Sequence, residues 1–250
     1  MNLLKFSKGN KKLSKDTLIF SLPAGRTCPG ASLCHSMAII KDNKRKIKDG
    51  VLTQFRCYAA SQEVLYTALY KKRKYNLDLL LTALNDSETN CINLILTSLN
   101  KYETKNIKKV RIHDSGDFFS GQYLRAWLKV AELKPNLKFY CYSKSLNLFG
   151  SNVHIPNNFY MTASMGGLYD HLIHKGYFKR YAIVVNSKAE AYSLGLLHRG
   201  KAYKIDKDDS SCFKPEPFAL LLHGVQPKGS KAAEALKAIK KEKLLSKSSI

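Results

Sequence analysis

Acidic residues are scarce in this 250-residue chain: 19 Asp and Glu stand against 42 Lys and Arg, a formal net charge of +23. A charge near zero would argue against a polyanionic partner, and that argument is missing here. Long apolar runs are missing too. No window approaches the roughly 20 apolar residues that span a bilayer, and the opening MNLLKFSKGNKK has no apolar stretch of the signal-peptide kind. A cytoplasmic protein with no membrane contact is therefore expected. Cysteine is thin for the length, six residues at 28, 34, 57, 91, 141 and 212, which excludes a small disulfide-dense scaffold. No sequence repeat or low-complexity linker divides the chain, so a single domain over residues 1–250 is expected.

What is present is an apolar fraction of 44%, enough for a sizeable core, and a regular alternation of strand and helix signals. Thr17–Leu22 is a buried strand closed by Pro23-Ala24-Gly25, and Val110 and Ile112 mark another. Leu137–Tyr142, Phe159–Ala163, Tyr181–Val185, Ala202–Ile205 and Phe218–Leu222 continue the series. Ser61, Ser87, Ser120 and Ser230 stand where N-caps belong, ahead of apolar residues at helical spacing. Strands separated by helices imply right-handed parallel crossovers. The fold class expected is α/β, a single-domain partial (β/α) barrel with mostly parallel strands; a doubly wound sheet would also suit the count. In either, ligands gather at the carboxyl ends of the strands. Pro23–Cys34, His113–Asp117, Ser143–Lys144, Ser164–Gly167 and Asn186 all fall there.

Cys28, Cys34 and Cys57 are the candidate metal ligands, since thiolates suit zinc or an iron–sulfur cluster. Pro29 and Gly30 keep the intervening backbone irregular, as a loop around a metal must be. Three Cys leave one position open, which His35 could fill to make a Cys3His zinc site; three unrelated thiols are the plain alternative. Cys91 and Cys141 lie in apolar surroundings and are expected to be packing residues.

His113, Asp114 and Asp117 are the candidate catalytic residues, His113 as proton carrier and the two carboxylates facing a cation or a hard metal. Gly116 permits close backbone approach to a ligand, although a helix-capping turn with a buried His113 reads the same. Ser164, Gly166 and Gly167 repeat the choice between ligand approach and tight turn. His171 and His174, three apart on a short helix, are expected to face solvent. Basic residues crowd into 41–48, 71–74 and 228–247. The first lies in a basic insertion over about residues 36–56 that reads as a loop, and the last forms a basic helix over about 230–247. Lys44, Arg45, Lys46, Lys228 and Lys231 are the candidate nucleic-acid contacts; a solvated lysine-rich surface is the plainer account.

The runs FSLPAGRTCPGASLC, RCYAA, VRIHDSGDFFSGQYLRAW, FYCYSKSL, SMGG and LLLHGVQPKGS together resemble the phage gene product 88-like proteins over most of the chain. That resemblance implies a phage protein made in the bacterial cytoplasm and brings little assigned activity. A strand, three Cys, and a later strand ending in a Gly-acid-aromatic turn also resemble, more distantly, the radical S-adenosylmethionine enzymes. This second resemblance implies a [4Fe-4S] cluster on Cys28, Cys34 and Cys57, with S-adenosylmethionine on the fourth iron and its amino group held by Ser115-Gly116-Asp117. The spacing departs from the tight pattern of that superfamily: five and then 22 residues separate the cysteines, and Asp stands where Glu is usual.

The function expected is a phage-encoded radical S-adenosylmethionine-like enzyme that modifies a nucleic acid or nucleotide. A metal-dependent nuclease or phosphodiesterase using His113, Asp114 and Asp117 is the second reading. A non-enzymatic nucleic-acid-binding protein with structural zinc is the third.

Overall fold

The structure, a computed structural model, describes residues 2–10 and 12–248; positions 1, 11, 249 and 250 of the expected 1–250 domain lie outside the described residues. The chain opens with a short strand β1 (Ser7–Lys8), then β2 (Thr17–Phe20), then β3 (Ser36–Lys41) and β4 (Lys44–Asp49). Three helices follow, α1 (Tyr58–Leu65), α2 (Thr67–Asp86) and α3 (Glu88–Tyr102). The alternation then becomes regular: β5 (Lys109–Ile112), α4 (Gly121–Leu133), β6 (Lys138–Ser143), β7 (Phe159–Ser164), α5 (Asp170–His174) and β8 (Tyr181–Val185). It ends in α6 (Lys188–Arg199), β9 (Lys204–Ile205), β10 (Phe218–Leu221) and α7 (Lys231–Ser248).

Eight strands form one sheet in the order β1-β2-β5-β6-β7-β8-β10-β9. Every neighbouring pair in it is parallel except β1 with β2. The mostly parallel α/β fold is thus present, in a sheet that is not closed. β1 and β9 are the two edges, each two residues long.

Alternation along the strands sorts the two faces. Leu18, Phe20, Val110, Ile112, Phe139 and Cys141 join Cys91, Leu94 and Ile95 of α3 and Tyr123, Leu124 and Trp127 of α4 in the main core. Cys91 and Cys141 are fully buried there, as packing residues. The opposite face is more polar. Arg111 forms an ion pair with Asp209, which also accepts hydrogen bonds from Tyr140 (3.4 Å) and Tyr142 (3.3 Å). Cys212, Phe213 and Phe218 cover the tyrosines.

Three local expectations change. The basic insertion is not a loop: β3 and β4 form an antiparallel hairpin whose turn residues Asp42 and Asn43 take φ of 53° and 56°. Two successive left-handed residues are what a tight hairpin turn requires. Ser61 is not an N-cap. It is buried inside α1 and donates to the Val225 carbonyl at 3.3 Å, while Cys57 caps the helix. Ser87, Ser120, Ser187 and Ser230 do cap, accepting from the amides of Asn90, Tyr123, Glu190 and Ala233. The helix around Ser61 also breaks at Tyr66, an extended residue between α1 and α2. No described helix is long and apolar enough to cross a membrane.

Candidate functional site

A parallel sheet sends all its strand-to-helix loops to one rim, and here those loops interlock. The loop after β2 lies beside the loop after β5: Leu22 N–H donates to the Ser115 carbonyl (2.8 Å), Ser115 Oγ donates to the Leu22 carbonyl (2.8 Å), and Asp117 N–H donates to Thr27 (3.1 Å). It also crosses to the loop after β7, where Leu33 N–H reaches the Gly166 carbonyl (3.0 Å) and Leu168 N–H the Gly30 carbonyl (2.9 Å). From the far side, the loop after β10 grips the segment leading into α1. Gln226 pairs with both backbone groups of Arg56 at 2.8 and 3.0 Å, and the Tyr58 ring packs tilted against His223, centroids 4.5 Å apart. Tyr58 then donates its hydroxyl to the Asp114 carbonyl, so residues 56–61 join the rim loops of β5 and β10.

This interlocking leaves the three cysteines within electrostatic range of one another. Cys28 and Cys34 sit in the β2 loop and Cys57 at the N-cap of α1, all free and partly buried. Each thiol lies within electrostatic range of another of the three, and Asp117 acts on Cys28 and Cys34. Burial pushes all three thiols up, Cys57 to about 11, and each added negative charge raises the next. Other features pull the other way: Lys144 favours the thiolate of Cys34, the first-turn amides of Ala59 and Ala60 and the charge of Arg73 favour that of Cys57, and the Gly25 backbone favours that of Cys28. The uncharged set is therefore protonated at neutral pH, and a metal taking all three must displace their protons. Among the described residues no group of three or more His, Cys, Asp or Glu is placed to hold a metal ion. His35, the residue named to complete a zinc site, donates its Nε2 proton to the Gly25 carbonyl at 3.2 Å.

The Asp117 carboxylate is a clamp. Its Oδ1 accepts from Phe118 N–H and Ser143 Oγ, both at 2.7 Å, and its Oδ2 from Lys144 N–H (2.7 Å) and Ser145 N–H (3.3 Å). Four protein donors occupy the oxygens that the amino group of a cofactor would need. Ser115 is bound to Leu22, and Gly116 (φ 87°) has no room beside it: a Cβ there would stand 2.6 Å from Thr27 Oγ1 and 2.7 Å from Leu22 Cβ. The close approach that glycine allows at this turn is to the cysteine loop. The carried-over Ser115-Gly116-Asp117 set therefore does not fit an ammonium group.

His113, Asp114 and Asp117 point to three different places. His113 is buried among Phe20, Phe118 and Tyr123, with Nε2 2.9 Å from the Tyr123 hydroxyl and Nδ1 without a hydrogen-bond partner among the described residues. Desolvation takes its pKa down to about 3, so it stays neutral. The Asp114 carboxylate instead accepts from Ser21 and lies 3.8 Å from the guanidinium of the fully buried Arg73. These three side chains do not converge on one metal or one water.

At the β7 loop, Asp170 accepts from the amides of Gly166 (2.8 Å) and Gly167 (3.0 Å), and Ser164 Oγ accepts from Lys144 Nζ (2.8 Å). A Cβ at Gly167 would meet the Gly30 carbonyl at 2.8 Å. His171 and His174 are exposed on α5. Of the basic candidates, Lys44, Lys46, Lys228 and Lys231 are exposed, whereas Arg45 turns inward to the Val64 carbonyl (3.3 Å) and Thr67 (2.6 Å).

Three residues of this region, Lys144, Glu63 and Arg73, take roles that the sequence does not signal, although Ser143–Lys144 falls at the rim. Lys144 ties the β6 loop to the β7 loop through Ser164 and Met165. Glu63 and Arg73 form a buried pair at 3.0 Å beneath the β2 loop, where Glu63 accepts from Ala24 N–H at 2.9 Å. Ionic residues buried from two consecutive helices look, in sequence, like any charged helix surface.

No curated protein and no solved structure matches this chain. A family comparison matches residues 3–242 to gene product 88. With nearly its whole length covered, the chain belongs to the phage gene product 88 family.

Proposed function

We propose that Cys28, Cys34 and Cys57 hold an iron–sulfur cluster in an enzyme that modifies a nucleic acid or nucleotide. The observation that supports this reading is that three free thiols from two separate segments lie within electrostatic range of one another in the loops at the carboxyl rim of a parallel sheet, where ligands of α/β proteins collect. The other three cysteines are buried in the apolar clusters, so the set offers three ligands and leaves one iron open. When bound, such a cluster supplies one-electron chemistry. Lys144 beside Cys34 and the first-turn amides of α1 beside Cys57 offset part of the negative charge of bound thiolates. S-adenosylmethionine is the ligand the resemblance names for the open iron. Because Asp117 is fully engaged by protein donors, that assignment carries over no amino-group site and no step through the cofactor.

We read the frame as a partial (β/α) barrel. β2 and β5 to β8 advance one position at a time, and residues 56–61 link the rim loops of β5 and β10. The charge of +23 supports a polyanionic substrate. Anaerobic reconstitution with iron and sulfide tests the reading. The expected result is about four iron and four sulfide per chain, lost in Cys28→Ser, Cys34→Ser and Cys57→Ser alike. One zinc per chain with no iron uptake, or no metal at all, would overturn it.

A further inference from the structure

The segment that separates Cys34 from Cys57 is the β3–β4 hairpin, and its two faces differ in kind. Cross-strand partners share a face, and the register pairs Lys41 with Lys44, Ile39 with Lys46 and Met37 with Lys48. Lys41, Lys44, Lys46 and Lys48 are all exposed, so this face is a row of four ammonium groups flanking Met37 and Ile39. The other face is anchored. Arg45 bonds to Val64 and Thr67 and lies over the Tyr70 ring, while Asp49 pairs with Arg56 at 2.5 Å. Lys41 directly opposite Lys44 is a like-charge pair that weakens a free hairpin. Asp42, 2.8 Å from Lys46, is the one acid paired with this row among the described residues.

The base of the hairpin is fastened to the cysteine loops. Gly50 N–H donates to the His35 carbonyl at 2.6 Å, Gln54 N–H to the Leu33 carbonyl at 2.8 Å and Cys57 N–H to Ser36 Oγ at 3.4 Å. A polyanion lying along the lysine row would therefore run beside Cys34 and Cys57. A two-stranded ribbon is also a shape that the major groove of duplex DNA admits.

We infer that the β3–β4 hairpin is a nucleic-acid-binding arm that holds the phosphate backbone of a duplex next to the three-cysteine site. This rests on the proposed function only for what the bound strand is presented to; binding itself requires no metal. It also gives the wide Cys34–Cys57 interval a role, since the interval is the arm.

The test uses the full chain and a short fluorescein-labelled DNA duplex, with anisotropy measured over a series of salt concentrations. The variant K41Q/K44Q/K46Q/K48Q is compared with K101Q/K105Q/K108Q/K138Q, which removes four exposed lysines around the amino ends of β5 and β6. Each phosphate contact contributes about 0.9 to the slope of log affinity against log salt. The hairpin variant should lose about 3 to 4 from that slope, while the control keeps the parent slope and K41R/K44R/K46R/K48R restores it. Equal losses in the hairpin and control variants would reduce the effect to net charge and overturn the inference. So would a parent chain that binds no duplex. Iron content measured on the same preparations separates the two ideas: duplex binding that survives Cys57→Ser while iron is lost leaves the arm standing by itself.

Discussion

His113 occupies a left-handed backbone position, φ 69°, at the end of β5, and its ring sits neutral in an aromatic pocket. Its pKa falls from 6.5 to about 3 because burial disfavours the imidazolium. The unfolded chain therefore binds a proton that the folded chain refuses. The stability this residue contributes is complete above the unfolded pKa of 6.5 and drains as pH falls toward 3. One such proton gives a slope of about 1.4 kcal/mol per pH unit. Urea unfolding of His113→Asn, which tolerates the left-handed backbone, should show that part of the acid slope removed. Asp117 makes a different case. Asp117→Ala strands the amides of Phe118, Lys144 and Ser145 and the Ser143 hydroxyl. Each buried group left unsatisfied costs about 1–3 kcal/mol, so urea unfolding should register a large loss. An alanine variant as stable as the parent would show that the clamp does not exist.

Among the elements, α1 and the β2 loop carry the cysteines, and both can be probed without touching the core. Cys57→Ser keeps a preferred N-cap residue at the start of α1, so the stability change should stay within about 1 kcal/mol while iron uptake disappears. Unchanged uptake in this variant would remove Cys57 from the ligand set. The β2 loop is held by close backbone approaches: a Cβ on Gly30 would strike the Lys144 carbonyl. Gly30→Ala should lift this loop off the β6 loop and expose Cys28 and Cys34, which a thiol reagent would read as faster modification at those two positions. The caps at Ser87 and Ser120, like the helix faces behind them, were legible from local spacing alone. The hairpin was not, although Asp42-Asn43 between two six-residue runs was a usable turn signal.

At the scale of the whole molecule, the second face of the sheet depends on a contact between residues far apart in sequence. Asp209 is almost wholly buried and binds Arg111 and Lys12, the latter at 2.7 Å. It thereby pins the segment between β9 and β10 across β5 and β6. Asp209→Ala leaves a buried guanidinium unpaired, which typically costs about 3–5 kcal/mol. Asp209→Ala combined with Arg111→Met should recover much of that loss in thermal unfolding, because an apolar replacement of both partners removes the uncompensated charge.

The sequence by itself determined the α/β class, the parallel crossovers, the family and the rim on which the polar motifs fall. Each follows from local periodicity, caps and contiguous motifs. The tertiary structure decided what those motifs do to one another. It left the sheet open, with β1 and β9 as its two edges. It turned Ser115, Gly116 and Asp117 from a free pocket into a clamp between loops, because the oxygens of Asp117 meet donors 26 to 28 residues further along the chain. And it left Cys57 within electrostatic range of Cys28 and Cys34, across the 22 residues that separate it from Cys34, because the hairpin between them folds back on its own base. Spacing along a chain cannot report such meetings, since they depend on which surfaces the intervening segment buries.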